Sequence, residues 1–246
     1  MPEPIPNIPV PPPNRAQLNV PEKDLPEILP QDFRQTMQWR IFRVMAEFIE
    51  GFEFLADFKK SVSIFGSTRD SESTHKWYEE ARRLGTLLAK EGYAVVTGGG
   101  PGIMEAGNKG AAEGGGLSVG LNIQLPREQR INPYVNHSKG FHYFFTRKLM
   151  LTYSAQVFVY FPGGFGTLDE FSEIVTLIQT KKIPRIPVVL VGREFWQPMY
   201  DWMNGFMNSK NGAIDPDDLQ IFTIVDTAEE VMEIVRRSAP RDTDFD

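Results

Sequence analysis

Short apolar segments alternate with helix-forming segments from Ser61 onward, and this alternation is the strongest constraint on the fold. Short, almost continuously apolar segments are typical of strands buried on both faces of a parallel sheet. We therefore predict an α/β fold with a doubly wound, Rossmann-like parallel sheet of about seven strands. The predicted strands are 62–65, 93–97, 117–121, 141–145, 156–161, 187–191 and 221–225. The predicted helices are 74–90, 103–113, 146–154, 166–180, 196–207 and 228–237.

The N-terminal part has a different composition. Ten of the first 30 residues are proline, which favours an extended arm that is either a free tail or a strap on a neighbouring subunit. Bulky apolar residues then recur every three or four positions, so residues 31–58 are predicted to form an amphipathic helix that packs on a core or a subunit contact. The predicted organisation is an arm (1–30), this helix (31–58) and a nucleotide-binding catalytic domain (61–240).

Composition excludes several classes of function. A formal net charge of −6 argues against generic binding to nucleic acid or to an anionic membrane, and no apolar segment is long enough to span a bilayer. The chain has no cysteine and no apparent secretory signal, so we expect a cytoplasmic protein without disulfides. Its three histidines show no metal-ligand spacing, and His142 is expected to be a core residue of a strand. We predict neither a metal nor a cofactor.

The segment from Pro162 to Glu170, Pro-Gly-Gly-Phe-Gly-Thr-Leu-Asp-Glu, lies between a predicted buried strand and a predicted helix. Such a glycine-rich turn can present backbone N–H groups and the positive end of a helix to a phosphate. Glu170 adds a carboxylate nearby. Alternatively, Thr167 and Glu170 form a capping box that serves only the helix terminus. No Gly-Lys-Ser/Thr follows the glycines, which disfavours a nucleoside triphosphate bound with magnesium.

Two further strand ends carry similar sequences. Gly66-Ser67-Thr68-Arg69 follows the first strand, and Thr97-Gly98-Gly99-Gly100-Pro101-Gly102 follows the second. Three such loops at neighbouring strand ends indicate a crevice of nucleotide size. A dinucleotide is disfavoured, because the second loop does not match Gly-x-Gly-x-x-Gly and the following strand ends in Leu121-Asn122 rather than at an acidic residue.

Arg147 and Lys148 lie near the predicted start of a short helix. Positive charges there oppose the helix dipole, so a nearby anion is one explanation for them. The other is that they are solvated or paired with acidic side chains. Arg147 is the stronger candidate ligand, since a guanidinium can bind a phosphate or carboxylate through two hydrogen bonds.

Taken together, the 97–104 loop, Arg147-Lys148 and the Pro162–Glu170 segment resemble the LOG ("Lonely guy") family of cytokinin-activating phosphoribohydrolases, formerly labelled lysine decarboxylase-like. The resemblance covers about residues 61–237 and includes the complete Pro-Gly-Gly-x-Gly-Thr-x-x-Glu motif. It implies hydrolysis of the N-glycosidic bond of a nucleoside 5′-monophosphate, such as AMP or an N6-substituted AMP. Pyridoxal-phosphate chemistry has no support, because no lysine is singled out for a Schiff base.

The resemblance also implies roles for individual residues. Arg147 and Glu170 would be the catalytic pair. The residues expected to contact the substrate are Ser67, Gly99, Gly100, Glu128, Lys148, Gly163, Gly164, Gly166, Thr167 and Thr176. The longer 125–138 segment and the N-terminal extension are similar to those of longer bacterial members, which implies a homo-oligomer, a dimer or a hexamer. A non-catalytic nucleotide or molybdenum-cofactor carrier and a DNA-processing protein on a related fold are the alternatives.

Overall fold

The structure is a computed structural model that describes residues 36–69, 75–124 and 131–240. The predicted arm and Glu128 lie outside these ranges. The internal contacts of the chain separate Met1–Phe42 from Arg43–Asp246, and the second unit contains the whole sheet described below.

Seven strands form one sheet, as predicted. They are β1 (Ser61–Phe65), β2 (Ala94–Thr97), β3 (Ser118–Ile123), β4 (His137–Phe141), β5 (Val157–Tyr160), β6 (Val188–Val191) and β7 (Phe222–Val225). Their order is β4-β3-β2-β1-β5-β6-β7 and every pairing is parallel. Val62 of β1 pairs with Val95 of β2 on one side and with Val157 of β5 on the other.

The helices cover both faces of the sheet. They are α1 (Met37–Ala56), α2 (His75–Lys90), α3 (Ile103–Glu113), α4 (Phe144–Thr152), α5 (Phe165–Gln179), α6 (Arg193–Trp202) and α7 (Ala228–Arg237). Side chains of α2, α3 and α7 bury one face of the sheet, and those of α4, α5, α6 and the C-terminal part of α1 bury the other. A π-helical turn (Met203–Asn208) and a 3-10 helix (Pro216–Gln220) lie between α6 and β7.

The strand order creates a topological switch point in the middle of the sheet. From β1 the chain continues through α2 to β2 on one side, whereas from β5 it continues through α5 to β6 on the other. The loops after β1 and β5 therefore diverge and leave a crevice at the carboxyl ends of these two strands, which is where ligands bind in folds of this kind.

The prediction of a strand at 141–145 was wrong. The strand is β4, at His137–Phe141, and α4 begins at Phe144. As an edge strand β4 has polar, exposed residues such as His137 and Ser138, so it lacks the apolar pattern of the inner strands. The apolar residues Phe144 and Phe145 instead occupy the first turn of a helix and stay more than half exposed.

The expectation for His142 was also wrong, because this residue is exposed and follows β4 rather than lying in a strand core. Within residues 36–69, 75–124 and 131–240, no helix is both long enough and apolar enough to cross a membrane.

Candidate active site

A cavity of about 1050 Å³ opens at the carboxyl ends of β1, β2 and β5, the position expected from the switch point. Its polar wall comes from the three loops identified in the sequence, and both proposed catalytic side chains, Arg147 and Glu170, contribute to it. Aromatic side chains supply much of the remainder: Phe65, Trp77, Phe144, Phe165 and Phe195. A cavity lined by both polar groups and aromatic rings suits a ligand that has both a charged group and a flat apolar one.

The glycine-rich turn after β5 leads directly into α5. Gly164 is the N-cap and provides no side chain to cap the helix. Among the described residues, none accepts a hydrogen bond from the backbone N–H of Phe165 or of Gly166. These donors lie at the positive end of a 15-residue helix and on the wall of the cavity, so they are placed to bind an anion.

The capping-box interpretation of this turn was wrong. Thr167 is the third residue of α5 and Glu170 the sixth, so neither occupies the position of a reciprocal cap. The Thr167 hydroxyl lies instead against Gly163, where any side chain would collide with it.

The structure of the protein does not explain why positions 164 and 166 are glycine. A Cβ at either position would meet no atom within 4 Å, and neither residue adopts a positive φ. Neither packing nor backbone conformation therefore requires glycine at these two positions. Both residues line the cavity, and close approach of a ligand is a recognised use of glycine beside phosphates.

Glu170 is buried, with 7% of its surface exposed, although it lines the cavity. Burial raises its pKa from 4.5 to about 7; the charges of Lys148 and Arg147 act against this shift, whereas Glu173 and Asp169 add to it. A carboxyl group with a pKa near 7 can exchange a proton at physiological pH, which is the property of a general acid or base.

Arg147 extends from α4 into the cavity and is held at its Nε, which donates a 2.7 Å hydrogen bond to the carbonyl oxygen of Leu121 in β3. Its guanidinium fills the space beside Gly98. Burial lowers the pKa of Arg147, while the nearby charge of Glu170 acts in the opposite direction.

Lys148 and Thr176 do not line the cavity. The Nζ of Lys148 lies 2.6 Å from Asp169 and 3.3 Å from Glu173, so this lysine links α4 to α5. Burial acts to lower the pKa of Lys148, but the hydrogen bond to Asp169 and the charges of Glu173 and Glu170 outweigh it and raise the pKa. Thr176 is exposed and its hydroxyl donates to the carbonyl oxygen of Ser172 in its own helix.

Of the other residues predicted to contact the substrate, some line the cavity and others are buried behind its wall. Ser67 lines the cavity, and its N–H donates to the carbonyl oxygen of Pro162, which joins the loops after β1 and β5. Gly99 and Gly100 are buried behind the cavity, where their carbonyl oxygens accept hydrogen bonds from Asn132. Glu128 is outside the described residues.

A buried amide network supports the loop after β2, and sequence reasoning missed it. Asn108 of α3 accepts hydrogen bonds from Thr97 at 2.7 Å and from Asn132 at 2.9 Å, and it donates to Ser118 at 2.9 Å. Asn108 is fully buried. A lone asparagine in an apolar helix was the available signal, but its partners are 10 to 24 residues away.

Comparison with known proteins identifies the family to which the chain is similar. The model of a family described as "Possible lysine decarboxylase" matches residues 104–235. Cytokinin riboside 5′-monophosphate phosphoribohydrolase LOG of Oryza sativa subsp. japonica is 29% identical over 181 residues, which are 71% of this chain and 72% of that protein. A cytokinin riboside 5′-monophosphate phosphoribohydrolase of Arabidopsis thaliana is 27% identical over 194 residues, 77% of this chain and 88% of the relative.

Solved structures share the fold. The X-ray structure of TM1055, a structural genomics target, has a TM-score of 0.55 and 28% identity and covers 72% of this chain and 99% of its own. The molybdenum cofactor carrier protein of Chlamydomonas reinhardtii has a TM-score of 0.54 and 22% identity, covering 73% of this chain and 97% of its own, which demonstrates a common fold alone.

Proposed function

Because the chain belongs to the LOG family, whose model carries the description "Possible lysine decarboxylase", we propose that it hydrolyses the N-glycosidic bond of a nucleoside 5′-monophosphate. The products are the free base and ribose 5-phosphate. AMP and N6-substituted AMP, such as a cytokinin riboside monophosphate, are the proposed substrates. The protein acts without a metal or a cofactor, as a homo-oligomer.

One observation carries this proposal: a buried carboxyl group with a raised pKa lies one to two helical turns from the open N-terminus of the same helix. Gly164 and Gly166 leave open space at the N-terminus of α5, and Glu170 follows on that helix. The 5′-phosphate binds the free N–H groups of Phe165 and Gly166, and the ribose then extends into the cavity beside Glu170. Binding of the phosphate fixes the glycosidic bond for reaction.

Glu170 in its ionised form acts on the sugar. As the bond between C1′ and the base nitrogen breaks, the ribose gains oxocarbenium character, which the carboxylate stabilises. The carboxylate also takes a proton from the attacking water, whose oxygen bonds to C1′. The bonding electrons leave with the base, which is then protonated, so the atoms of one water molecule are divided between ribose 5-phosphate and the base.

Arg147 serves the departing base in this proposal. It lies beside Gly98 at the end of β2, whereas the anion site follows β5, and β1 separates these two strands. Two strand spacings amount to about 10 Å, so we place the guanidinium nearer to the base than to a phosphate held by α5. Arg147 therefore stabilises the negative charge that develops on the base.

The test is incubation of the full chain with AMP, an N6-substituted AMP, GMP, CMP and adenosine, followed by assay of free base and ribose 5-phosphate. The proposal requires base release from at least one monophosphate and its loss in the Glu170→Gln variant, which excludes a contaminating hydrolase. Binding of monophosphates without turnover of any of them would favour the alternative, a nucleotide or molybdenum-cofactor carrier, since a carrier needs the anion site but not the carboxylate.

A further inference from the structure

The carboxylate of Glu47, on α1, lies at the N-terminus of α4, the helix that carries Arg147. Its Oε1 accepts a 2.7 Å hydrogen bond from the N–H of His142, and its Oε2 accepts from the N–H of Tyr143 at 3.2 Å. The Thr146 hydroxyl lies 2.6 Å from Oε2 as a third donor. Glu47 thus binds the two residues that lead into α4 and one side chain of its first turn, almost 100 residues further along the chain.

The N-cap of α4, Tyr143, makes no side-chain hydrogen bond to the helix. The Thr146 hydroxyl also lies 2.8 Å from the carbonyl oxygen of Tyr143, but no side chain of the first turn supplies a negative charge. Arg147 and Lys148 place positive charge close to the positive end of the helix dipole, which is unfavourable. The negative charge of Glu47 offsets this, and its oxygens accept from the N–H groups of His142 and Tyr143, which directly precede the helix.

The location of α1 is also fixed against α4. Gly51 lies so close to Met150 that a Cβ at position 51 would come within 2.6 Å of the Met150 sulfur. One turn from Glu47, Glu50 forms an ion pair with Lys139 of β4. The contact of Gly51 with Met150, one turn after Glu47, therefore packs α1 against α4, although α1 precedes the 104–235 region that matches the family model.

We propose that Glu47 is a positioning residue for Arg147, so that the N-terminal helix is part of the machinery of the site rather than an appendage to it. The chain of contacts is short: Glu47 accepts from Thr146, Arg147 is the next residue, and its Nε is held by Leu121. A shift of the first turn of α4 moves the guanidinium within the cavity. The effect on turnover rests on the proposed function, whereas the effect on the position of Arg147 does not.

The matched pair of variants is Glu47→Gln and Glu50→Gln. Both remove one carboxylate from α1, but among the described residues the ion pair of Glu50 is with Lys139 of β4 and not with the start of α4. We expect Glu47→Gln to lower kcat for AMP at least about tenfold with KM changed less than about threefold, because a displacement of about 1 Å in a catalytic group costs up to about 100-fold. Glu50→Gln retains wild-type kcat, and Glu47→Asp, which keeps the charge, recovers part of the lost rate.

A second measurement is independent of the reaction. The Nε–H of Arg147 gives an NMR signal that can be assigned by its loss in Arg147→Lys, and its hydrogen bond to Leu121 slows exchange with water. Exchange is expected to be at least about tenfold faster in Glu47→Gln and unchanged in Glu50→Gln. Equal exchange rates in both variants, or a loss of turnover shared by both, would overturn the proposal. If no monophosphate is hydrolysed by the wild type, the proposed function fails while this measurement still decides the role of Glu47.

Discussion

The guanidinium of Arg147 occupies the space that a side chain on Gly98 would need. Gly98 belongs to the glycine-rich turn after β2, which the sequence presented as a second binding loop for the nucleotide. Its glycine instead makes room for a side chain from α4, so that Arg147 can pass the end of β2 into the cavity. The two loops with similar composition thus differ in structure: the one after β5 has open space at Gly164 and Gly166, whereas the one after β2 leaves space for Arg147.

Replacing Gly98 is expected to displace Arg147 without disturbing the anion site. In Gly98→Ala the new methyl group collides with the guanidinium, so we expect kcat for AMP to fall by about 100-fold, the cost of a misplaced catalytic group. Affinity for ribose 5-phosphate, measured by calorimetry, stays within about twofold because the turn at 163–167 is unchanged. A large loss of that affinity would show that Arg147 binds the phosphate rather than the base.

Replacing Gly164 or Gly166 is expected to weaken binding of the phosphate without displacing Arg147. Gly164→Ala and Gly166→Ala add a methyl group that meets no protein atom, so the melting temperature stays close to that of the wild type. The methyl group does occupy the space of the phosphate, and loss of a hydrogen bond to a charged group lowers affinity for AMP roughly 10- to 100-fold. Gly205→Ala is the matched control, since Gly205 is equally open but does not line the cavity. Unchanged affinity in both loop variants would exclude the turn as the phosphate site.

The sequence was sufficient for the parallel sheet and for the turn that opens α5, because both depend on local patterns. Inner strands are short apolar runs, and a glycine-rich turn between a strand and a helix can be recognised within about ten residues. The sequence did not predict β4 correctly, because it is an edge strand with solvent on one side and therefore lacks the apolar pattern of the inner strands. The start of α4 was misplaced because Glu47, which binds the residues leading into this helix, is distant in sequence.

The arrangement around the site also depends on contacts between residues that are far apart in the sequence, and no local pattern reveals such contacts. Lys148 resembled a substrate ligand next to Arg147, yet it pairs with Asp169 and Glu173 on α5. Asn132 supports the loop after β2 from a position more than 30 residues away. Such contacts follow from the topology of the sheet and become visible only when the strands are in place.

The raised pKa of Glu170 is expected to cost stability. Since its folded pKa is about 7 against 4.5, the folded state keeps a proton that the unfolded state loses, and stability falls as the pH rises from about 4.5 to about 7. In Glu170→Gln this cost is removed, so above about pH 7 we expect the free energy of unfolding to rise by about 2 kcal/mol and the melting temperature by roughly 5 °C. The same variant loses about 100-fold or more in kcat.

Glu113→Gln is the control, because its expected change in melting temperature has the opposite sign. Glu113 is exposed, and its hydrogen bond to Arg82 lowers its pKa, so its replacement is expected to lower the melting temperature slightly and to leave kcat unchanged. If Glu170→Gln lowered the melting temperature at every pH, the carboxyl group would be a structural element and not a destabilised catalytic one.

The pH dependence of turnover follows from the same group. Only ionised Glu170 can stabilise the oxocarbenium ion or accept a proton from water, so kcat/KM for AMP is expected to rise about tenfold per pH unit below about 7 and to level off above it. Steady-state rates in buffers of constant ionic strength provide the measurement. A rate that instead falls as the pH rises through 7 would mean that the protonated carboxyl group is the active form.

The exposed side of α1 is expected to form a subunit contact, whereas residues 1–30 are expected to be dispensable for chemistry. Phe48 and Phe52 face the chain's own core, where they contact Phe145 and Tyr153, so replacing them would test folding rather than assembly. Met45 and Ile49 are the informative positions, since each is more than half exposed.

Exposed apolar side chains on one helix turn after another favour burial against another subunit. We expect Met45→Ser with Ile49→Ser to lower the mass measured by light scattering, and a chain lacking residues 1–30 to keep its turnover of AMP. Trp202→Ser removes an equally exposed apolar side chain, 53% accessible, from α6 and is expected to leave the mass unchanged. The same mass for wild type and for the double variant would place the subunit contact elsewhere, and loss of turnover on removal of the arm would give the arm a part in the site.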